Sequence, residues 1–259
     1  MIVKDRIDRP FDDRTVDPVE IARFEALAEE WWDPNGKMRV MHAFNRARCD
    51  FIQAAIARNF HRSLDAPGAF DGIDILDVGC GGGLICEPLA AAGGRVVGVD
   101  ATARNIEIAK RHLAGGALHV DYRHGTARSA LHGAETFDVV LNLEVVEHVA
   151  DPAQLMADCA ARLRPGGMMF VATLNRTFRA WGLAIFGAER VLRWLPVGTH
   201  SWRRFLKPKE VSDSLALNGV HMTETAGVVL NPLKGGWTMS SNTAVNYMLV
   251  AHKPSVTPV

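Results

Sequence analysis

Unbroken apolar runs of strand length alternate with stretches of helical period through the middle of the chain. Residues 73–78, 95–99, 118–122, 137–142 and 168–174 are such runs, while residues 83–92, 103–113 and 152–163 carry apolar side chains three and four apart. The alternation predicts an α/β fold with a mostly parallel, doubly wound sheet and helices on both faces. Asp151-Pro152 marks a helix start, and Arg164-Pro165-Gly166-Gly167 a stop before the next strand. Residues 221–230 and 245–251 read as two further strands, so the sheet is expected to hold seven.

Two helices are predicted ahead of the first strand. Asp17-Pro18-Val19-Glu20 reads as a capped start in which Asp17 caps, Pro18 takes the first helical position and Glu20 is the acid of a capping box. Ile21, Phe24, Ala28 and Trp31 then recur on one face. After the turn Asp33-Pro34-Asn35-Gly36, a second helix over residues 43–60 is expected to bury Phe44, Phe51, Ile52 and Ile56. Residues 17–62 therefore form a helical cover, and Trp31-Trp32 reads equally as a lid on the sheet edge and as a direct ligand contact. Residues 1–16 are charged and aperiodic and are expected to be a disordered tail; residues 17–252 form one domain, and residues 253–259 a C-terminal tail.

Composition narrows the class. With 259 residues and 48% hydrophobic content, one sizeable core is affordable. Lys+Arg and Asp+Glu both number 29, so no global field recruits nucleic acid, and any basic surface is local. Cys49, Cys80, Cys86 and Cys159 show neither metal-ligand spacing nor a disulfide framework, which fits a reducing cytoplasm. No apolar run reaches the roughly 18–20 residues of a membrane span, so a soluble or peripheral protein is expected.

The chemistry centres on Ile73-Asp74-Ile75-Leu76-Asp77-Val78-Gly79-Cys80-Gly81-Gly82-Gly83. A strand that ends in an acid and dissolves into glycine predicts a tight turn against which a ligand lies without interference from a Cβ. The dinucleotide spacing Gly-x-Gly-x-x-Gly fails, because counting from Gly79 puts Leu84 at the third glycine. Twenty-one residues after Gly79, a second strand ends in Asp100, whose carboxylate suits a pair of ribose hydroxyls. After the fourth strand comes Leu143-Glu144-Val145-Val146-Glu147-His148, beyond the carboxyl end of a strand and so in the same crevice. If that segment turns helically, Glu144, Glu147 and His148 fall at i, i+3 and i+4 on one face. Such a set holds a hard divalent ion or acts without metal as a general base.

Asp77-x-Gly79-x-Gly81-x-Gly83 resembles the cofactor loop of the Rossmann-like class I S-adenosylmethionine-dependent methyltransferases. Trp31-Trp32-Asp33, Asn45-x-x-Arg48, Glu144 to Val149, Thr173-Leu174-Asn175-Arg176, Gly198-Thr199-His200, Asn231-Pro232 and Val245-Asn246-Tyr247-Met248 extend the likeness. Together they resemble the ubiquinone biosynthesis O-methyltransferases over roughly residues 18–252. The resemblance implies an antiparallel last strand and methylation of catechol-type hydroxyls on polyprenylated phenols. It also implies cofactor contacts from Arg48, Asp77, Gly79, Gly81, Asp100 and Leu143. Eukaryotic members place magnesium on residues matching Glu144, Glu147 and His148, the three candidates for catalysis here. Asn45-Arg46 departs from the family, which usually has proline after the asparagine. Independently of the resemblance, the planar fork of Arg48 suits a carboxylate such as the cofactor's.

Residues 176–209 stand apart. Arg176, Arg179, Arg190, Arg193, Arg203, Arg204, Lys207 and Lys209 face Glu189 alone, interleaved with Phe178, Trp181, Phe186, Trp194, Trp202 and Phe205. Basic residues among large aromatics suit an anionic membrane surface; a nucleic-acid groove uses similar ingredients, and a helical lid buries its aromatics on its own core. A membrane-dissolved polyprenyl substrate favours the first, with no nucleic-acid partner, peripheral attachment at the inner face of the membrane and a ubiquinone-biosynthesis complex as a possible assembly. Competing readings of the whole chain are a class I methyltransferase with another acceptor and a non-catalytic cofactor-binding scaffold.

Overall fold

The computed structural model describes residues 13, 15–33, 36, 38–182, 202–231 and 236–255. Its centre is an eight-stranded sheet in the order β3-β2-β1-β4-β5-β8-β6-β7. The strands are β1 (Asp74–Val78), β2 (Arg95–Asp100), β3 (Val120–His124), β4 (Phe137–Leu143), β5 (Leu163–Leu174), β6 (His221–Asn231), β7 (Gly236–Ser240) and β8 (Asn246–His252). The first five run parallel; β8 enters antiparallel between β5 and β6, as expected.

Alternation along the strands feeds two cores. Ile75, Val139, Leu141, Met168 and Phe170 point to one face, where α2 (Arg39–Asn59), α3 (Cys86–Ala91) and α4 (Ala103–Leu113) supply Ile52, Ile56, Leu89 and Ile106. Their neighbours Leu76, Val140, Met169 and Val171 point to the other, against Leu155 and Met156 of α5 (Pro152–Ala161) and Val211 and Leu215 of α7 (Pro208–Ala216). Between these two helices in sequence lies the single turn α6 (Phe178–Ala180). The chain winds outward from β1 to β3, then crosses back to β4. That reversal opens a crevice at the carboxyl ends of β1, β2 and β4.

The sequence expectation of seven strands misses β7. Gly236-Trp237-Thr238-Met239-Ser240 has no apolar run and is half-buried throughout, but it pairs with β6 as a hairpin, and Trp237 packs edge-on against Phe44 of α2 at 5.3 Å. The helix expected from residue 83 starts at Cys86, because Gly79 to Ile85 are spent on the turn. Of the expected disordered tail 1–16, most lies outside the described residues, yet its described end is packed: Thr15 is buried, its carbonyl accepts from Ala150 N at 3.1 Å, and Asp13 accepts from Thr126 Oγ1 at 2.6 Å. At the other terminus Lys253 is anchored by Ala160 and Leu163 carbonyls. Most of 176–209, including Phe186, Arg190, Arg193, Trp194 and Gly198 to His200, lies outside the described residues, as does Pro232.

The cover is built by α1 (Pro18–Leu27) and α2. Asp17 caps α1 by accepting from Val19 N at 3.0 Å. A 3-10 turn, Ala28–Glu30, delivers Trp31 onto the glycine loop. Its indole nitrogen donates to Asn105 Oδ1 at 2.9 Å, while that of Trp32 donates to Gly82 O at 2.8 Å and its ring stacks on His112. Trp31 is both lid and wall, since it also lines the crevice.

Candidate active site

Elements from both halves of the chain enclose one cleft. Asp77, Gly79 and Gly81 come from the β1 turn, Asp100 from the end of β2, Leu143 and Glu144 from the end of β4, Arg48 from α2, and His148 from the turn beyond β4. Gly79 and Gly81 have φ of +78° and +54°, backbone that side chains rarely adopt. A Cβ on Gly81 would lie 2.6 Å from the Trp31 ring. The loop is thus pressed between the cleft and the lid.

Asp100 is buried and holds the loop in shape. It accepts from Gly81 N at 2.9 Å, Thr102 N at 2.8 Å and Asn105 Nδ2 at 3.2 Å. Asn105 therefore joins the lid tryptophan to this acid, a link absent from the sequence reading. Asp77 is buried too, receiving only the Cys86 thiol at 3.3 Å, and burial pushes its pKa up to about 7. The cleft wall carries Asp77, Asp100 and Glu144 together with Arg48 and His148, while Asp17 and Glu20, which also line it, are answered by Arg204.

The raised Asp77 acid has a measurable consequence. Between its unfolded pKa near 3.8 and its folded value near 7, the folded chain keeps a proton that the unfolded chain releases, so this group lowers stability as pH rises through that window. Asp77→Asn removes the penalty and is expected to raise the melting temperature of the ligand-free protein at pH 8 more than at pH 5. Equal melting of wild type and variant at pH 8 contradicts that account.

Arg48 is committed to two neighbours. It donates to Glu144 Oε1 at 2.7 Å, and its Nε and Nη2 both point at Asn45 Oδ1, while its guanidinium lies 4.5 Å from the Phe44 ring centroid. Asn45, half of the quoted Asn45-x-x-Arg48 pattern, is thus a clamp on the arginine.

Glu144, Glu147 and His148 do not form the single helical face expected of them. Glu144 takes φ +56°, a strained left-handed conformation for a side chain, and residues 146–148 make only a turn. This re-aims Glu144 to Arg48. Glu147 is turned inward; both of its oxygens and the nearby Thr173 hydroxyl lack hydrogen-bond partners of normal geometry, and burial with the adjacent Glu144 charge pushes its pKa up. His148 goes a third way, its Nδ1 3.0 Å from Glu20 Oε2. Among the described residues no three His, Cys, Asp or Glu side chains converge as a metal site. The donor set implied for magnesium is split three ways and does not fit that ion.

Glu20 is the residue that sequence reasoning misassigned. Read as the acid of a capping box, it instead leaves the helix end and becomes one of the few buried carboxylates, accepting from Arg204 Nη1 at 3.2 Å and Arg23 Nη1 at 3.1 Å as well as meeting His148. The His148 hydrogen bond, helped by the charges of His148, Arg23 and Arg204, outweighs burial and holds Glu20 below the ordinary carboxyl range. For His148, burial works to lower the pKa, but the Glu20 hydrogen bond and the charges of Glu147, Glu20 and Glu144 prevail and raise it.

Known proteins fall in line with this geometry. A family described as methyltransferase domain matches residues 76–171. Ubiquinone biosynthesis O-methyltransferase of Mesorhizobium japonicum is 52% identical over 242 residues, covering 93% of this chain and 97% of that protein. The chain belongs to the ubiquinone biosynthesis O-methyltransferase family. Its members from Sinorhizobium medicae and Brucella anthropi are 50% and 49% identical with the same coverage. Solved structures agree on the fold: magnesium protoporphyrin IX methyltransferase from Synechocystis with bound S-adenosylhomocysteine superposes with a TM-score of 0.63 at 16% identity, over 89% of this chain and 94% of that one. The expected fold class is therefore right, with eight strands described where seven were expected.

Proposed function

We propose that this chain transfers the methyl group of S-adenosylmethionine to a phenolic oxygen of a polyprenylated catechol in ubiquinone biosynthesis. Near 50% identity over almost the full length of its relatives carries the reaction class. One arrangement in the cleft supports it further: a histidine backed by a buried carboxylate shares a pocket with a glycine cradle and two strand-end acids.

The residues fit the cofactor. The side-chain-free loop offers room for a flat ligand, Asp100 is placed to accept from ribose hydroxyls, and Asp77 answers an ammonium, which would draw its proton off. Arg48, which lines the cleft with Leu143, is the cation that answers the methionine carboxylate, through the guanidinium N–H groups that Glu144 and Asn45 leave over. When bound, the cofactor supplies a methyl already electrophilic on a sulfonium. What remains for the protein is alignment and removal of the phenol proton, whose ordinary pKa is about 10. With Nδ1 engaged by Glu20, His148 receives that proton at Nε2, and Phe24, edge-on at 5.2 Å, fixes the ring plane.

Methyl transfer to a panel of catechols with and without a prenyl tail, in the presence of chelator, tests the reading. The expected result is full turnover in chelator, with prenylated catechols favoured. Activity lost to chelator and restored by magnesium would return Glu144, Glu147 and His148 to a ligand role, and transfer to amines or carboxylates in preference to phenols would move the acceptor class.

Residues 176–209 are further proposed to dock on an anionic membrane face, which brings the enzyme to a bilayer-dissolved substrate and allows assembly with other enzymes of the same synthesis. Phe178 and Trp181 at the start of the segment are 84% and 51% exposed, beside exposed Arg179. No helix among the described residues is long and apolar enough to cross a membrane. Replacing Arg190, Arg193 and Arg203 together is expected to weaken binding to anionic vesicles by about 1 kcal/mol per charge. Equal sedimentation of wild type with neutral and anionic vesicles would remove the electrostatic part.

A further inference from the structure

The histidine turn, the lid helix and the far end of the basic segment meet at one carboxylate. Glu20 is 6% exposed, yet it answers groups from three separate parts of the chain. Its Oε2 lies 3.0 Å from His148 Nδ1 and accepts from Arg23 at 3.1 Å, while its Oε1 accepts from Arg204 Nη1 at 3.2 Å. The second branch of Arg204 donates to Asp17 Oδ2 at 2.8 Å, on the residue that caps the same helix. Arg204 ends the short 3-10 turn Trp202–Arg204, at the close of the basic aromatic segment.

We propose that Glu20 is a positioning residue for methyl transfer: by accepting a hydrogen bond from the Nδ1–H of His148 it fixes the tautomer whose Nε2 takes the acceptor's proton, and Arg204 clamps Glu20 in that pose. A neutral imidazole carries one proton, and which nitrogen holds it follows the hydrogen bond made by the other. An ionised carboxylate accepts only, so Glu20 draws that proton to Nδ1. The same charge steadies the imidazolium formed when the phenol proton arrives. Cations on both sides keep Glu20 ionised despite its burial. Arg204 with its two carboxylates spans Glu20 and Asp17 as a fork, tying α1 to the 202–204 turn. The base is therefore complete only when the lid helix and that turn are both seated.

The inference rests on His148 being the base, and the experiment separates the two. Turnover, acceptor KM and S-adenosylmethionine Kd are measured for His148→Ala, Glu20→Ala, Glu20→Gln and Arg204→Gln, and the imidazole nitrogen shifts of 15N-histidine-labelled wild type are assigned by difference from a His148→Gln sample. Glu20→Ala is expected to lower kcat about 10- to 100-fold, the range for outer partners that orient a functional histidine, with cofactor Kd unchanged. Glu20→Gln, which keeps an oxygen but not the charge, falls between, and Arg204→Gln loses less than either. The wild-type shifts are expected to report a proton on Nδ1 in the neutral ring. Wild-type kcat in Glu20→Ala overturns the proposal, as does a parallel loss of cofactor affinity and turnover, which marks mere support of the fold. Should Glu20→Ala not fold, a wild-type ring protonated on Nε2 overturns it equally. Full activity in His148→Ala instead defeats the base assignment, and the nitrogen shifts still decide whether Glu20 sets the tautomer.

Discussion

Gly81→Val is expected to weaken cofactor binding severely. At φ +54° a β-branched residue is strained by about 1–3 kcal/mol, and overpacking adds a similar amount. The second term has a named source here: the new Cβ would lie 2.6 Å from the Trp31 ring, which is held in place by its bond to Asn105. Relief requires the lid to lift or the loop to sink into the cleft. Either way the Gly81 N–H leaves Asp100, and the oxygen meant for the ribose loses its backbone tether while Thr102 and Asn105 hold only the other. Titration calorimetry should show affinity reduced by about a hundredfold or more, as roughly 1.4 kcal/mol accounts for each factor of ten. A variant that folds and binds the cofactor normally would remove the loop from the site.

His148→Ala is expected to lower kcat by about 10²- to 10⁴-fold, the usual contribution of a positioned base, with cofactor affinity intact because the glycine loop and strand-end acids are untouched. The wild-type rate should carry its own signature. A histidine pKa held above the ordinary range means that the ring is charged, and unable to accept a proton, up to a higher pH than usual. Activity should therefore fall as pH drops through a value above about 6.5, and this limb should be missing from the residual rate of His148→Ala. A pH profile that is the same in both proteins would place the titrating group elsewhere.

Much of this architecture is legible in the chain because local signals and tertiary demands coincide. Strands β1, β2 and β4 are apolar on both faces since both faces are covered, and α4 begins and ends at the residues its pattern predicts. The glycine loop and Asp100 are likewise written locally, as a spacing. Where the reading fails, long-range contacts decide. β7 exists because β6 and α2 give it partners, a cause invisible in Gly236 to Ser240. Glu20 carries the same sequence signature whether it caps its own helix or reaches His148, and only the return of the chain 128 residues later selects between them. The acid-histidine cluster lies beyond β4, where its place in the sequence predicts it, but its helical spacing misleads: one left-handed residue, Glu144, scatters three side chains that a regular turn would align.

The lid also fixes an order of events during synthesis. Trp32 meets its partner Gly82 50 residues further along the chain, Trp31 meets Asn105 after 74, Glu20 meets Arg204 after 184, and Asp17 meets Arg204 after 187. At ribosomal speeds of 5–20 residues per second, the last of these partners follows its mate by on the order of ten to forty seconds. Through that interval α1 has α4 and His148 to pack against but lacks the arginine that ties both Glu20 and Asp17 to the far end of the chain. The segment made early is thus fastened late, and a nascent chain halted before residue 204, which also lacks β6, β7 and β8, should hold α1 more loosely than the finished protein and expose it to proteases.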